Sequence, residues 1–268
     1  MKGSVNLQAY NAIERLSAYE TREILNEYRN SRVLRYQPHV DFILEHSGGK
    51  PISLIEIGSG SSALLYTIAK RNMLTKAMAV ELSKSRFEFA EQWKQDEGYS
   101  MVENVNDNFA NVNMRDSEWD WFIVIDNTFT YLFPENPEYP ALLLDKAFKC
   151  LKPGGRIIID FINYAHRLPD VEYKSWSAFT ENDPFSYGLY SNKINNGVNR
   201  SESVFIKRDG TESKKTELSK VYSLDKLSAI LLQHGFAVSE VFATFDKQIF
   251  LADSSERLMV VAKKNSYG

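Results

Sequence analysis

The stretch Leu54–Ser62, Leu-Ile-Glu-Ile-Gly-Ser-Gly-Ser-Ser, constrains this chain more than any other. An apolar run breaks into a turn of small residues, and Ala63–Arg71 follows with helical spacing. A strand, a glycine turn and a helix N-terminus in that order bring unpaired backbone N–H groups close to a bound nucleoside. Glu56 stands two residues before Gly58, and Gly60 follows at alternate spacing. Turns of this kind also arise for packing alone, so the remaining chain must decide between the two uses.

Strand and helix patterns alternate from there. Lys76–Leu82 is a second apolar run, Ser85–Glu97 has amphipathic helical spacing, and Tyr99–Asn106 is a weaker strand. Trp121–Ile125 is a strong strand ending in Asp126, and Pro140–Leu151 reads as a helix stopped by Pro153-Gly-Gly155. Arg156–Phe161 is nearly continuous in apolar residues, as expected of a strand covered on both faces. The alternation predicts an α/β chain with a doubly wound parallel sheet.

Two regions depart from it. Residues 1–50 are polar and helical in pattern, rich in Arg and Tyr, and form a predicted N-terminal helical cap. Residues 168–221 hold extended segments separated by Asn195-Asn-Gly197 and Arg208-Asp-Gly-Thr211, the latter a good hairpin signal. They are expected to form an antiparallel insertion of three or four strands, leaving 51–167 and 222–268 as the main domain. Ser223 is the expected N-cap of a returning helix, Gly235 its stop, and Ala237–Phe245 with Leu258–Lys263 a closing strand pair.

Composition narrows the function classes. The 268 residues are 43% hydrophobic with a formal net charge of −3, which argues against a nucleic-acid binder relying on phosphate neutralisation. The single cysteine, Cys150, excludes an intramolecular disulfide and is expected to pack in the core. No basic start with an apolar run and no membrane-length window is seen, so a cytoplasmic setting without membrane attachment is expected.

Four elements together resemble the class I S-adenosylmethionine-dependent methyltransferases. They are Glu56-Ile-Gly58-Ser-Gly60-Ser-Ser62, Glu81 ending the second strand, Asp126-Asn-Thr-Phe-Thr-Tyr131-Leu after the fourth, and Leu151-Lys-Pro-Gly-Gly155 before the fifth. The last is the most specific, because Rossmann dehydrogenases share the glycine turn and distal acid but not this turn. The resemblance spans Ile52 to Lys264 and implies a seven-stranded Rossmann-like sheet whose last strand pair looks antiparallel. Ser62 departs from the family's third glycine, and a modest local shift is expected there.

The resemblance implies S-adenosylmethionine as cofactor, held by Glu56, Gly58, Ser59, Gly60, Glu81, Asp107, Asn108 and Asp126. Glu56 is expected near its cationic end, Glu81 on the ribose hydroxyls through charge-assisted hydrogen bonds, and Asp107 near the adenine amino group. Packing or turn roles for these residues stay open. Asp126, Asn127 and Tyr131 are expected where the methyl group emerges, with Asn127 and Tyr131 as candidate catalytic groups. Some sugar N-methyltransferases carry a His at the place of Tyr131, so a His-based proton acceptor is not expected at that position. His166, after the fifth strand, is the histidine best placed for general-base work, with a surface role as the alternative. His39, His46 and His234 lie on helices and are expected to be structural or solvated.

The 168–221 insertion resembles the lid of glycine- and sugar-type methyltransferases. Trp176, Phe179, Tyr187 and Tyr190 would give it an aromatic face for sugar or amine recognition, and a homodimer interface is the competing use. Methyl transfer to nitrogen or oxygen of a small polar metabolite, such as a sugar, is the expected function. Three alternatives remain. One is O-methylation of a carboxylate or phosphorylated acceptor clamped by Arg22, Arg29, Arg32 or Arg35. Another is a Mg²⁺-assisted site at Asp126, Asp160 and Asn163, although the acid pattern favours no metal. The third is a non-catalytic cofactor-binding module.

Overall fold

The computed structural model describes Tyr19, residues 21–178, 185–207 and 209–265. Seven strands form one sheet in the order β10-β11-β5-β4-β1-β2-β3. They are β1 (Ile52–Ile57), β2 (Leu74–Val80), β3 (Val102–Val105), β4 (Trp119–Val124), β5 (Leu151–Ile162), β10 (Phe236–Phe242) and β11 (Arg257–Lys264). β1 to β5 run parallel, while β11 pairs antiparallel with both β5 and β10. The strand order reverses beside β1, where such sheets open a crevice beyond their strand ends.

Period-two alternation divides the apolar side chains between two layers. Ile55, Ile57, Phe122, Val124, Ile157 and Ile159 point to one face, and Leu54, Trp121, Ile123, Ile158 and Met259 to the other. The second face is covered by helices α1 (Arg22–His46) and α2 (Ala63–Lys70). The same parity places Glu56, Asp160 and Arg257 on the α1 face, at the C-terminal end of β1, near that of β5, and at the start of antiparallel β11. This is how three charged residues distant in sequence come to one spot.

Helix α1 starts at Thr21, whose side chain accepts from the Ile24 N–H at 3.3 Å. Arg29, 3% exposed, anchors it to α3 (Lys84–Glu97) through a 2.8 Å ion pair with Asp96. Arg29 is thereby committed to packing and is removed from the expected anion clamp. α3 ends at Gly98 in the left-handed conformation.

The Pro-Gly-Gly turn does not stop the preceding helix. α5 (Tyr139–Cys150) ends one residue earlier, and Leu151 is already extended and paired with Trp119. Lys152–Gly155 is a bulge in β5, since the next pair with β4 is Trp121 with Arg156. Cys150 is buried as expected, and burial pushes its thiol up to about 12. The segment after Asp126 forms a short helix, α4 (Thr128–Glu135), that periodicity did not reveal.

The inserted region is a separate antiparallel sheet in the order β6-β7-β8-β9: β6 (Glu172–Ala178), β7 (Phe185–Asn195), β8 (Val198–Lys207) and β9 (Glu212–Lys220). It sits on α4, where the Tyr131 hydroxyl donates to Glu217 at 3.3 Å and the Lys220 ammonium lies 4.4 Å from the Phe133 ring. The expected aromatic face is divided by strand parity. Trp176 faces Leu189 and Tyr187 faces Ala178 across β6 and β7, and both aromatics are exposed on the outer surface. Tyr190 has the opposite parity and meets Phe205 edge-on; Phe179 lies outside the described residues. α6 (Leu224–Gln233) returns the chain to the sheet, capped by Ser223 as expected.

Candidate active site

The turn after β1 is tied to β2 by the N–H groups of Gly58 and Ser59, which both donate to the Val80 carbonyl. Gly58 has φ of 71°, and a Cβ there would lie 2.5 Å from Thr128 Oγ1. Glycine is thus required for this backbone conformation and for the close passage of α4. Ser62 occupies the third-glycine position with φ of 59°, and its hydroxyl donates to Asn104 Oδ1 at 2.8 Å. The strain of a left-handed serine is offset by a polar anchor that glycine could not supply.

Glu56 is 2% exposed, and its Oε2 has no hydrogen-bond partner. Burial, with Asp126 and Glu81 nearby, holds its carboxyl well above the ordinary range, while Arg32 pulls the other way. The Ser59 hydroxyl is also buried without a partner. A buried unpaired polar group costs about 1–3 kcal/mol, so this corner is suited to a ligand bringing a donor or a positive charge. Glu81 uses one oxygen for the Gly60 N–H at 2.8 Å and the other for the Ser83 N–H at 2.7 Å. Each carboxylate oxygen retains a lone pair, so vicinal hydroxyls can still bind there.

Beyond β3, the Asp107 carboxylate accepts from the Asn108 N–H at 2.6 Å and from the Asn111 amide at 2.9 Å. Asn108 donates to the Tyr139 hydroxyl. These bonds shape the exposed turn after β3.

A second cluster lies past β4. Asp126 and Asn127 are both left-handed, with φ of 53° and 71°, an arrangement that neighbours must hold in place. The Asn127 N–H donates to the Asp160 carbonyl, and its side-chain oxygen accepts from the Ile162 N–H at 2.6 Å. Asn127 therefore ties β4 to β5. The Asp126 carboxylate accepts from the Tyr36 hydroxyl at 3.0 Å and from Arg35 at 3.4 Å, and Arg257 lies 3.6 Å away. Arg35, Arg257 and the Tyr36 hydroxyl outweigh desolvation and keep Asp126 below the ordinary carboxylate range.

Asp160 is 2% exposed and forms a two-point ion pair with Arg257, one bond measuring 3.0 Å. Asn163 donates to the carbonyls of Ala252 and Ser255. These partners occupy the residues weighed as magnesium ligands, and the described residues hold no cluster of three or more acids, histidines or cysteines suited to a metal.

Tyr131 reaches the inserted sheet through Glu217, which is 7% exposed and pairs with Lys215 at 2.9 Å. His166 is on an exposed turn after β5. His46 and His234 have packing partners, Glu240 and Asp145. His39 also packs, its ring stacked on Phe245 with centroids 3.8 Å apart, and the helix carries it to the field of the Asp126 cluster. Sequence reasoning also passed over Tyr36 as a partner of Asp126, and Arg257 and Glu217 altogether. The readable signal was the spacing of Arg32, Arg35, Tyr36 and His39, which places them along one side of a helix.

This strand order, with a glycine turn after β1 and an acid closing β2, defines a doubly wound fold of the methyltransferase class. The chain belongs to the methyltransferase domain family, whose model matches residues 49–218. Solved structures share the fold. The CcbJ methyltransferase from Streptomyces caelestis is 16% identical with a TM-score of 0.74, over 86% of this chain and 89% of that one. An S-adenosylmethionine-dependent methyltransferase from Clostridium acetobutylicum is 15% identical with a TM-score of 0.71, over 86% and 92%. The 1,6-didemethyltoxoflavin-N1-methyltransferase of Burkholderia thailandensis, with 1,6-didemethyltoxoflavin and S-adenosylhomocysteine bound, is 13% identical with a TM-score of 0.52, over 86% and 78%. No curated protein matches the chain in sequence. No described helix is long and apolar enough to cross a membrane.

Proposed function

We propose that this enzyme transfers a methyl group from S-adenosylmethionine to a nitrogen of a small polar metabolite held beneath the β6–β9 sheet. The observation that carries the reading is the buried, unpartnered Glu56 carboxyl oxygen beside the glycine turn. Glu56 would face the cationic methionine end of the cofactor, Ser59 would offer its hydroxyl there, and Glu81 would accept from the ribose hydroxyls. The bound cofactor supplies an electrophilic methyl on a sulfonium. The protein's task is to aim the acceptor at it and exclude water.

The Tyr36 hydroxyl donates to Asp126 and the Tyr131 hydroxyl to Glu217 of the inserted sheet, and in this reading these groups line the acceptor space. Two buried or half-buried carboxylates, Asp126 and Glu217, and the two aromatic hydroxyls of Tyr36 and Tyr131 suit a polar amine more than an anion. Nitrogen as acceptor is also supported by the N1-methyltransferase among the structural neighbours. In this reading residues 168–221 act as the lid, 1–50 as the cap, and 51–167 with 222–268 as the cofactor-binding domain. O-methylation of an anionic acceptor would rely on Arg35 and Arg257, both already engaged by Asp126.

The test is calorimetry with S-adenosylhomocysteine, followed by a product assay over amino sugars, amino acids and simple hydroxylated analogues. Cofactor binding with methylation of an amine supports the proposal. Cofactor binding with methylation only of hydroxyls or carboxylates replaces it with O-transfer. Binding without any turnover points to a non-catalytic module.

A further inference from the structure

The reaction as described leaves the half-buried His39 unused. His39 stands one helical turn beyond Arg35 and Tyr36 on α1, with its ring 5.0 Å edge-on from that of Tyr36 and stacked on Phe245 of the β10–β11 connection. Its Nδ1 is enclosed without a hydrogen-bond partner. Burial lowers the imidazole to about 4, opposed by the negative charge of Asp126 and reinforced by Arg35, Arg257 and Arg32. The ring is therefore neutral near pH 7 and can accept one hydrogen bond. A core histidine ordinarily satisfies both nitrogens, as His46 does through the Phe42 carbonyl and Glu240. His39 has the same helix and similar aromatic neighbours, yet it keeps an orphaned nitrogen next to the acceptor-side cluster.

We propose that His39 positions the acceptor: its neutral imidazole accepts a hydrogen bond from the acceptor's N–H and turns the nitrogen lone pair toward the methyl group. This rests on the N-methyl-transfer reading above. During transfer the acceptor lone pair forms the N–C bond, and the C–S pair stays on sulfur as the sulfonium becomes a thioether. The nitrogen, now cationic, releases one proton to solvent. His39 takes no net charge in this scheme, in keeping with an environment that disfavours the imidazolium. A neutral acceptor also leaves the amine in the uncharged form it needs for attack. Asp126, engaged by Arg35, Arg257 and Tyr36, would restrain Tyr36 against the ring and give His39 a fixed orientation.

The experiment uses the full chain saturated with S-adenosylhomocysteine and methylamine as probe, small enough to enter any amine subsite. With only four histidines in the sequence, imidazole ¹⁵N resonances can be followed singly, and His39 is assigned by its loss in His39→Gln. Methylamine at pH 9 is expected to shift the His39 nitrogens saturably, and only with S-adenosylhomocysteine present. His39→Gln keeps an acceptor oxygen and should retain methylamine binding within about threefold, whereas His39→Leu should lose it by tenfold or more; both should bind S-adenosylhomocysteine as the parent does. Unmoved His39 signals, or equal methylamine binding by the leucine variant, would overturn the proposal. Failure of S-adenosylhomocysteine to bind the parent protein would instead reject the cofactor reading on which it stands.

Discussion

The two halves of the crevice are built by different means. On the cofactor side, Glu56, Gly58, Gly60 and Glu81 come from two adjacent parallel strands and the turn between β1 and α2. The bonds that tie this side together run through backbone groups at the ends of β1 and β2. On the acceptor side, Tyr36, His39, Asp126, Asp160, Glu217 and Arg257 come from α1, the ends of β4 and β5, the inserted sheet and the last strand. His39 is held by ring contacts, and the others by side-chain hydrogen bonds and ion pairs across the sequence. A backbone cradle needs few particular side chains and tolerates little change in conformation. A side-chain cluster can change its acceptor chemistry by substitution while the sheet beneath stays fixed.

The largest effect should come from breaking that cluster's buried pair. Arg257→Met leaves the Asp160 carboxylate enclosed without its partner and should cost about 3–5 kcal/mol of stability, read as a fall in urea midpoint. Adding Asp160→Leu should recover most of the loss. If the double variant is as unstable as Arg257→Met, the pair is not what holds the ends of β5 and β11 together.

His39 makes the acceptor side sensitive to acid. Its imidazole is lowered from 6.5 to about 4 in the fold, so the unfolded chain takes up a proton first as pH falls. Stability should decline from about pH 6.5 down to about pH 4, by roughly 3 kcal/mol from this group. His39→Phe should flatten that part of the thermal-unfolding profile. An unchanged slope would mean that the ring is protonated in the fold.

An effect of opposite sign is expected on the cofactor side. The Glu56 carboxyl is raised in the fold, so its contribution is present below about pH 4.5 and is lost as pH rises. Glu56→Gln should raise the melting temperature of the cofactor-free enzyme at pH 8 while weakening cofactor binding. Lower stability in that variant would show that the charged form is favoured.

The same division decides what could be read from the chain. The glycine turn, Glu81 and the alternation of strands and helices are local patterns, and the seven-stranded sheet follows from them. The inserted sheet was announced by its Asn-Gly and Asp-Gly turns, but the aromatics expected to face the site were not assigned to faces. Parity within β6 and β7 sends Trp176 and Tyr187 outward. Arg257 becomes a neighbour of Asp126 through the pairing of β11 with β5, and His39 only when α1 covers the sheet face that carries Glu56 and Asp160; both are long-range events with no local signature. Asn127 is singled out by the resemblance of the loop after β4, and the bond from the Ile162 N–H to its side-chain oxygen has no local signature in the sequence.

The claim that the halves are separable is tested most directly by calorimetric titration of S-adenosylhomocysteine into Glu81→Ala and Glu217→Gln side by side. Loss of a hydrogen bond to a charged group is worth about 1.5–3 kcal/mol, so Glu81→Ala should weaken binding by about 10- to 150-fold. Glu217→Gln, on the acceptor side, should leave the affinity within about threefold of the parent. Similar losses in both variants, or unchanged affinity in Glu81→Ala, would contradict the division.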